Sequence, residues 1–316
     1  MSKQPLIVIC GPTASGKTAL SIAVSKALGC EVVSADSMQV YKGMQIATAK
    51  PTETEMDGVK HHLIDFLEPG ESFSVADYVR LAHKAIKEIS DRGAIPLVCG
   101  GTGLYINSLI DNVSFDDTCS STDIRDELLA LANEKGNAYL LEVLREFDPE
   151  TADKLHENNL NRIIRAIEVY KVTGITMTET VKNSKLIDSP YDVCMIGINC
   201  SDRQHLYDRV NLRVDIMLEE GLLEETERVL SNDSLKTSYQ AIGYKELSPY
   251  FKGEASLEEC IEKLKLETRH YAKRQLTWFR RDERINWIYP DECTNFNEVV
   301  QKALDIIERS GVIVKR

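Results

Sequence analysis

The stretch PLIVICGPTASGKTAL, residues 5–20, decides the fold of this chain. It begins with an apolar run typical of a buried strand, continues with the pattern GxxxxGKT, and ends in residues of helical character. A glycine loop between a strand and a helix turns successive backbone N–H groups toward one anion, and the helix N-terminus adds partial positive charge. The pattern therefore predicts a phosphate-binding loop, in which Lys17 reaches the phosphate oxygens and Thr18 offers a hydroxyl ligand to Mg²⁺.

Strands and helices alternate through the first part of the chain. CEVVSADS at 30–37 predicts a second strand, apolar spacing predicts a helix over 75–90, and AIPLVCGGTGLY at 94–105 predicts a strand, a glycine turn and a helix. Such alternation is typical of a parallel sheet with helices on both faces. We therefore predict an α/β fold, a P-loop NTPase-like parallel sheet flanked by helices, whose ligands bind at the carboxyl ends of the strands.

The alternation breaks after residue 112, where a polar, turn-rich stretch precedes helical segments without strands. A new apolar strand, YDVCMIGINC, begins at residue 191. We therefore divide the chain into residues 1–112, the first part of the core; 113–190, an inserted all-helical domain; and 191–316, the second part of the core with C-terminal helices.

Composition places the chain among ordinary globular proteins, with 316 residues of which 43% are hydrophobic and 28% charged. No apolar run approaches the ~20 residues of a membrane span, and the start of the chain lacks the pattern of a secretory signal. We therefore expect a cytoplasmic protein that does not contact a membrane. We also expect it to be a monomer. The eight cysteines form no CxxC pair, so those in apolar runs are interpreted as reduced core residues.

The net charge of −12 by itself argues against a nucleic-acid partner. The basic segment, residues 263–284, has the opposite charge from the chain as a whole, with eight basic and three acidic side chains. It is either a solvated helix face or, because Tyr271, Trp278 and Phe279 are interleaved with the basic residues, a surface for phosphates and bases. Composition alone leaves both interpretations open.

Two further groups follow strand ends and are therefore expected at the phosphate site. Asp36 ends the second strand, where its carboxylate has either a chemical role or the common role of capping a turn. Gly100, Gly101 and Thr102 follow the next predicted strand, where many phosphoryl-transfer enzymes carry an aspartate linked to Mg²⁺. This difference weakens the interpretation as a kinase without excluding it.

Arg209 and Arg213 are four residues apart and share one face of a predicted helix. They either clamp a diphosphate or are two of the many surface arginines. His61 and His62 are adjacent, so on a strand their rings point to opposite faces, and we assign them no role as metal ligands.

Seven motifs of this chain resemble, in the same order, those of the bacterial tRNA dimethylallyltransferase family: GPTASGKT, SADSMQVYKGMQIATAKP, HHLID, GGTGLY, NRIIRAIEVY, AIGYKE and AKRQLTWFRR. The resemblance runs from residue 6 to about residue 288, and only the first motif is shared widely with unrelated enzymes. It implies transfer of a dimethylallyl group from dimethylallyl diphosphate to N6 of the adenosine 3′-adjacent to the anticodon, in tRNAs that read codons beginning with U. It also implies a requirement for Mg²⁺ and no consumption of ATP.

The same resemblance implies roles for individual residues. Asp36 matches the general base, Thr102 a residue that contacts the target nucleotide, and Lys17 the cation aimed at the departing diphosphate. Thr18 matches the Mg²⁺ ligand. The implied diphosphate-binding positions are Gly11, Thr13, Ala14, Ser15, Gly16, Lys17, Thr18, Arg209 and Arg213.

The resemblance further implies a tRNA partner, bound through its anticodon stem-loop, whose target adenosine is flipped out of its stack to reach the site. It thereby favours RNA over a solvated face for the basic segment. The implied tRNA-binding positions are Asp36, Ser37, Met38, Gln39, Thr102, Arg125, Asn161, Arg162, Ile163, Ile164, Arg165, Gln240, Ala241, Ile242, Gly243, Tyr244, Lys245, Lys273, Arg274, Gln275, Leu276, Thr277, Trp278, Phe279 and Arg280.

Three alternatives compete with this interpretation. An adenylate isopentenyltransferase shares the loop and the aspartate but modifies free AMP, ADP or ATP. A P-loop small-molecule kinase follows from the fold and the loop alone. An RNA-binding module without enzymatic activity would use the glycine loop only as a structural turn.

Overall fold

The computed structural model describes residues 3–113, 122–184, 188–231 and 241–313. Contacts within the chain divide it into two compact units. The first unit joins Met1–Ile110 to Pro190–Arg316, and the second comprises Asp111–Ser189. The first unit therefore carries both the glycine loop and the basic segment.

The first unit is built on a parallel sheet. The strands within the described residues are β1 (Gln4–Cys10), β2 (Cys30–Ser34), β3 (His61–His62), β4 (Ile95–Gly100), β5 (Tyr191–Ile198) and β6 (Ile285–Ile288). They lie in the order β3-β2-β4-β1-β5-β6, and each neighbouring pair is parallel. This arrangement, with its flanking helices, confirms the predicted fold class.

Helices account for most of the remaining described chain. In chain order they are α1 (Lys17–Leu28), α2 (Glu53–Met56), α3 (Val75–Asp91), α4 (Gly103–Ile110), α5 (Thr122–Lys135), α6 (Asn137–Phe147), α7 (Pro149–Ala152), α8 (Leu160–Thr173), α9 (Met177–Ser184), α10 (Arg203–Glu219), α11 (Leu222–Leu230), α12 (Tyr244–Phe251), α13 (Leu257–Phe279) and α14 (Phe296–Ser310). The helices α5 to α9 belong to the second unit. No helix in the described ranges combines the length and the apolar character needed to cross a bilayer.

The apolar runs of the sequence become the core of the sheet. Ile7 and Ile9 of β1 pack in one cluster with Leu20 of α1 and Ala303 of α14. Since side chains alternate along a strand, the equally buried Val8 belongs to the opposite face, where α3 and α4 lie. Burial of both faces explains why β1 reads as a continuous apolar run rather than an alternating one.

The strand register brings three loops to one edge of the sheet. Cys10, the last residue of β1, pairs with Gly100 at the end of β4, and Ser34 at the end of β2 pairs with Cys99. The glycine loop, the loop that begins at Ala35 and the Gly-Gly-Thr turn therefore leave the sheet side by side. This edge is where a parallel sheet is expected to bind its ligand.

The second unit has a hydrophobic core of its own. Leu128 of α5, Leu140 and Leu144 of α6, and Ile163 and Ile167 of α8 are buried together. Its helices follow a helical spacing of apolar residues, as the sequence predicts, and no strand interrupts them in residues 122–184.

Candidate functional site

The glycine loop turns where its sequence requires it to. Gly11 has a φ of 146°, and a Cβ at this position would collide with the carbonyl oxygen of Ile198 on β5. Gly16 has a φ of 103° and forms the N-cap of α1. Both conformations favour glycine, and the second directs the start of α1 at the loop. The loop therefore has the geometry of an anion cradle.

Lys17 is folded back over this loop. Its Nζ donates a hydrogen bond of 2.6 Å to the carbonyl oxygen of Pro12. Burial lowers the pKa of Lys17 to about 8; Cys99 and Asp36 oppose the shift, and Arg213 adds to it. A cation held in this environment gains most from an arriving anion, because little water competes for its charge.

Asp36 and Thr102 belong to neighbouring loops that are joined by a hydrogen bond at Ser37. Oδ1 of Asp36 accepts hydrogen bonds from the backbone N–H groups of Met38 at 2.9 Å and Gln39 at 3.3 Å. The carboxylate thus caps the next turn, one of the two roles that the sequence left open, and its Oδ2 accepts no hydrogen bond from the described residues. Oγ1 of Thr102 accepts a bond of 3.1 Å from the N–H of Ser37.

The two arginines of α10 occupy different positions. Nε of Arg209 donates a hydrogen bond of 2.8 Å to the carbonyl oxygen of Ala14 in the loop. Arg213, one turn later, faces the cavity described next, and burial lowers its pKa. Both arginines therefore lie near the loop. Arg209 is exposed, whereas Arg213 is half-buried and lines the cavity.

A cavity of about 320 Å³ connects these groups. Its polar end is formed by the loop and its neighbours, Thr13, Lys17, Thr18, Asp36 and Arg213. Its apolar end is formed by Ala47, Val214, Met217, Leu222, Ile242 and Leu264. The last six residues belong to one hydrophobic cluster, so the apolar wall is continuous.

The sequence alone does not predict this apolar wall. Val214 and Met217 lie on α10, Leu222 on α11 and Leu264 on α13. Each reads in sequence as one of many apolar helix positions, and only tertiary packing brings them together. Helical periodicity marks them as buried but carries no signal for a shared cavity.

Gln275 was predicted within the RNA-binding segment, yet its side chain lies beneath the site. Its Oε1 accepts a hydrogen bond of 2.8 Å from the N–H of Thr13, and its Nε2 donates one of 3.0 Å to the carbonyl oxygen of Gly101. A Cβ at Gly101 would collide with this amide. The amide therefore ties the glycine loop to the Gly-Gly-Thr turn.

Around Gln275, α13 presents a basic surface that includes the exposed aromatic ring of Trp278. Lys273, Arg274, Thr277 and Arg280 are exposed, and Leu276 is half-buried. Trp278 is 39% exposed, and its Nε1 donates a hydrogen bond of 3.0 Å to Oδ1 of Asn107. Phe279 is buried, so its side chain is not available to a bound RNA.

The other predicted RNA positions of the first unit lie near the cavity. Ser37, Met38 and Gln39 are half-buried, and all three line it, as do Ala241, Ile242, Gly243 and Lys245. Tyr244 is buried beneath them. Gln240 lies outside the described residues.

In the second unit, Arg125 and Arg165 share one acceptor. The buried carboxylate of Glu168 accepts bonds from Nε of Arg125 at 2.9 Å and from Nη1 of Arg165 at 2.8 Å. Asn161 and Arg162 are exposed on α8. Ile163 and Ile164 are buried in the core of the unit, so any RNA contact on this helix falls to its polar residues.

Comparison with known proteins gives consistent matches over nearly the whole chain. The family described as IPP transferase matches residues 39–282, a span that begins beyond the glycine loop. The tRNA dimethylallyltransferase of Acetivibrio thermocellus is 47% identical over 311 residues, covering 98% of this chain and 99% of the relative. That of Bacillus cereus is 46% identical over 303 residues, covering 95% of both chains.

Solved structures agree with these relatives. The full-length tRNA isopentenylpyrophosphate transferase of Bacillus halodurans matches with a TM-score of 0.73 and 44% identity, covering 98% of both chains. A eukaryotic dimethylallyltransferase acting on tRNA matches with a TM-score of 0.83 and 30% identity, covering 98% of this chain and 80% of that one. The resemblance predicted from the motifs is confirmed: the chain belongs to the IPP transferase family, the family of the tRNA dimethylallyltransferases.

Proposed function

We propose that this protein transfers a dimethylallyl group from dimethylallyl diphosphate to N6 of the adenosine 3′-adjacent to the anticodon, in tRNAs that read codons beginning with U. The observation that carries the proposal is the cavity with two ends. A diphosphate fits the glycine loop and a short apolar chain fits the wall opposite, while Asp36 and Thr102 lie beside the cavity's polar end. The family membership of the chain supports the same reaction.

At the polar end, negative charge grows on the diphosphate as the allylic carbon–oxygen bond breaks. Lys17 and Arg213 line this end, and the N-terminus of α1 points at it. Preorganised charges of this kind stabilise the departing group without reorganising during the reaction. The family membership of the chain supports a leaving group on carbon in this loop rather than a phosphoryl group in transit.

The residues present fit Mg²⁺ as the cofactor. Mg²⁺ in proteins is commonly held by one or two side-chain oxygens together with substrate phosphates and waters. Thr18, which carries a hydroxyl, lines the cavity. In the described part of the chain no three His, Cys, Asp or Glu side chains gather as a metal site, so substrate oxygens would complete the coordination. When bound, the ion supplies further neutralisation of the diphosphate charge.

The nucleophile is the exocyclic amine of adenine, which is weak because its lone pair is delocalised into the ring. Asp36 is proposed to accept the proton that this amine loses, through the oxygen that the turn N–H groups do not use. Thr102, held by the N–H of Ser37, is proposed to contact the same nucleotide. The adenine must leave its stack to reach this depth.

The tRNA is proposed to bind across the basic segment of α13. Exposed Lys273, Arg274 and Arg280 supply phosphate contacts, and the fixed ring of Trp278 supplies a stacking surface. A tRNA substrate would also place the protein in the cytoplasm.

The test is a transfer assay with purified protein, dimethylallyl diphosphate, Mg²⁺ and unmodified tRNA, followed by digestion and detection of N6-isopentenyladenosine. Parallel reactions contain AMP in place of tRNA, or ATP in place of the prenyl donor. We expect product with tRNA only. Modification of AMP but not of tRNA would favour the adenylate isopentenyltransferase, and ATP cleavage in proportion to product would favour the kinase.

A further inference from the structure

Glu225 carries a set of hydrogen bonds that the proposed reaction does not use. It lies on α11, and its side chain is 3% exposed. Its carboxylate accepts bonds from three consecutive backbone N–H groups, those of Gln45 at 2.8 Å, Ile46 at 2.9 Å and Ala47 at 2.9 Å. It accepts another of 2.9 Å from the hydroxyl of buried Tyr244. A buried carboxylate is thus committed to fixing one backbone turn.

The turn that Glu225 fixes belongs to the wall segment, residues 45–49. This segment is also held from its other side, because Nε2 of Gln39 donates hydrogen bonds to the carbonyl oxygens of Thr48 at 3.2 Å and Ala49 at 3.1 Å. Ala47, Thr48 and Ala49 all line the cavity. Glu225 and Gln39 therefore hold the backbone of this wall, in addition to the contacts that its own side chains make.

The wall segment closes against the opposite side of the cavity at Ala47. A Cβ at Gly243, whose φ is 123°, would lie 3.2 Å from Cβ of Ala47 and 3.9 Å from Leu222. Ala47 also packs in the apolar cluster with Leu222 and Ile242. A displacement of the wall segment would therefore change the space available at the apolar end.

We propose that Glu225 is a positioning residue that limits the length of the prenyl donor, with Ala47 as the side chain at which the prenyl chain stops. The inference rests on the proposed function and adds to it a determinant of donor choice. Dimethylallyl diphosphate has a five-carbon chain, whereas the next allylic homologue, geranyl diphosphate, has ten carbons. The second isoprene unit requires space that the wall segment occupies.

The experiment compares kcat/KM for the two donors, with an unmodified anticodon stem-loop as acceptor. Glu225→Gln keeps the shape but turns an amide N–H toward backbone donors, and Ala47→Gly removes the stopping methyl while leaving Glu225 intact. We expect both variants to raise the ratio of geranyl to dimethylallyl transfer by about tenfold or more, within the range known for added methylenes in apolar pockets. KM for the RNA should stay unchanged, a separation that general destabilisation would not produce.

Glu227→Gln is the matched control, because Glu227 lies on the same helix and is exposed; its donor ratio should equal that of the wild type. If circular dichroism shows that Glu225→Gln does not fold, Glu225→Asp, which keeps the charge but shortens the reach, takes its place. An unchanged ratio in the Glu225 variant overturns its positioning role, and an unchanged ratio in Ala47→Gly overturns the stop. A wild-type protein that prenylates no RNA with either donor overturns the proposed function, and this inference with it.

Discussion

Thr13 in the glycine loop and Gln275 on α13 are joined by a hydrogen bond of 2.8 Å across 262 residues of sequence. The same amide donates to the carbonyl oxygen of Gly101, so one side chain connects the two loops that follow the neighbouring strands β1 and β4. Because α13 also carries the basic segment, the loop proposed to hold the diphosphate and the helix proposed to hold RNA are directly linked.

Replacing Gln275 by alanine should weaken the use of the donor. The change leaves the N–H of Thr13 and the carbonyl of Gly101 without this partner, and a lost buried hydrogen bond costs about 1–3 kcal/mol. We expect kcat/KM for dimethylallyl diphosphate to fall roughly tenfold or more, as measured by steady-state transfer to RNA. Gln301→Ala, at an exposed position of α14, is the control. Equal donor kinetics in the two variants would show that the link does not support the loop.

The protonation of Lys17 should set the upper limit of the pH range. Burial lowers the pKa of Lys17 to about 8, so the side chain is charged below this pH and neutral above it. We expect kcat/KM for the donor to be lost as pH rises through about 8. kcat at saturating donor should hold to higher pH, because the bound diphosphate favours the charged form. The arginine of Lys17→Arg stays charged over the whole pH range, so this variant should not lose kcat/KM as the pH rises, whatever its absolute rate. If Lys17→Arg loses kcat/KM over the same pH range as the wild type, the titrating group is not Lys17.

Replacing Asp36 by asparagine should separate its two roles. The amide oxygen can still accept the N–H groups of Met38 and Gln39, whereas the capacity to accept a proton from the adenine is removed. We expect the single-turnover rate to fall about 10²- to 10⁴-fold, with little change in donor binding. Asp91→Asn, at an exposed position of α3, should behave as the wild type. A wild-type rate in Asp36→Asn would remove it from the chemistry.

Glu168 should be a main contributor to the stability of the second unit. Its carboxylate is fully buried and pairs with Arg125 and Arg165. Arg125 and Arg165 are 46% and 38% exposed and can be hydrated, so the loss is that of the charge-assisted hydrogen bonds to the buried carboxylate. Glu168→Ala should therefore reduce the free energy of unfolding by about 1.5–3 kcal/mol, measured by urea denaturation. Glu127→Ala breaks the surface pair with Lys171 and should lose less than about 1 kcal/mol. Similar losses in both variants would contradict a special role for the buried carboxylate of Glu168.

Sequence was sufficient where the signal is local. The strand, glycine loop and helix at residues 5–28 are encoded in consecutive residues, and so are the predicted helix at 75–90, observed as α3, and the strand observed as β5. Two strands escaped prediction. β3 consists of only His61 and His62, and β6 of Ile285–Ile288, both too short for a period to stand out.

In the candidate site, too, residues with a local sequence signal could be predicted and the others could not. Lys17, Thr18, Asp36 and Thr102 could be placed from sequence, because each follows a predicted strand and parallel strands end at one edge. Gln275 could be noticed only as part of a basic helix, since its partners lie far away in sequence. Glu225 reads as an ordinary charged helix residue, and nothing local indicates that its carboxylate is buried.

The strand order has a consequence for how the chain is made. β1 lies between β4 and β5, and residues Asp111–Ser189 are synthesised between those two neighbours. As the chain leaves the ribosome, β1 can pair with β4 early, but its other edge stays open until β5 emerges. Pairings distant in sequence form slowly, and open strand edges invite aggregation. We therefore expect the nascent protein to need a chaperone most during translation of the helical unit, while one edge of β1 is still unpaired.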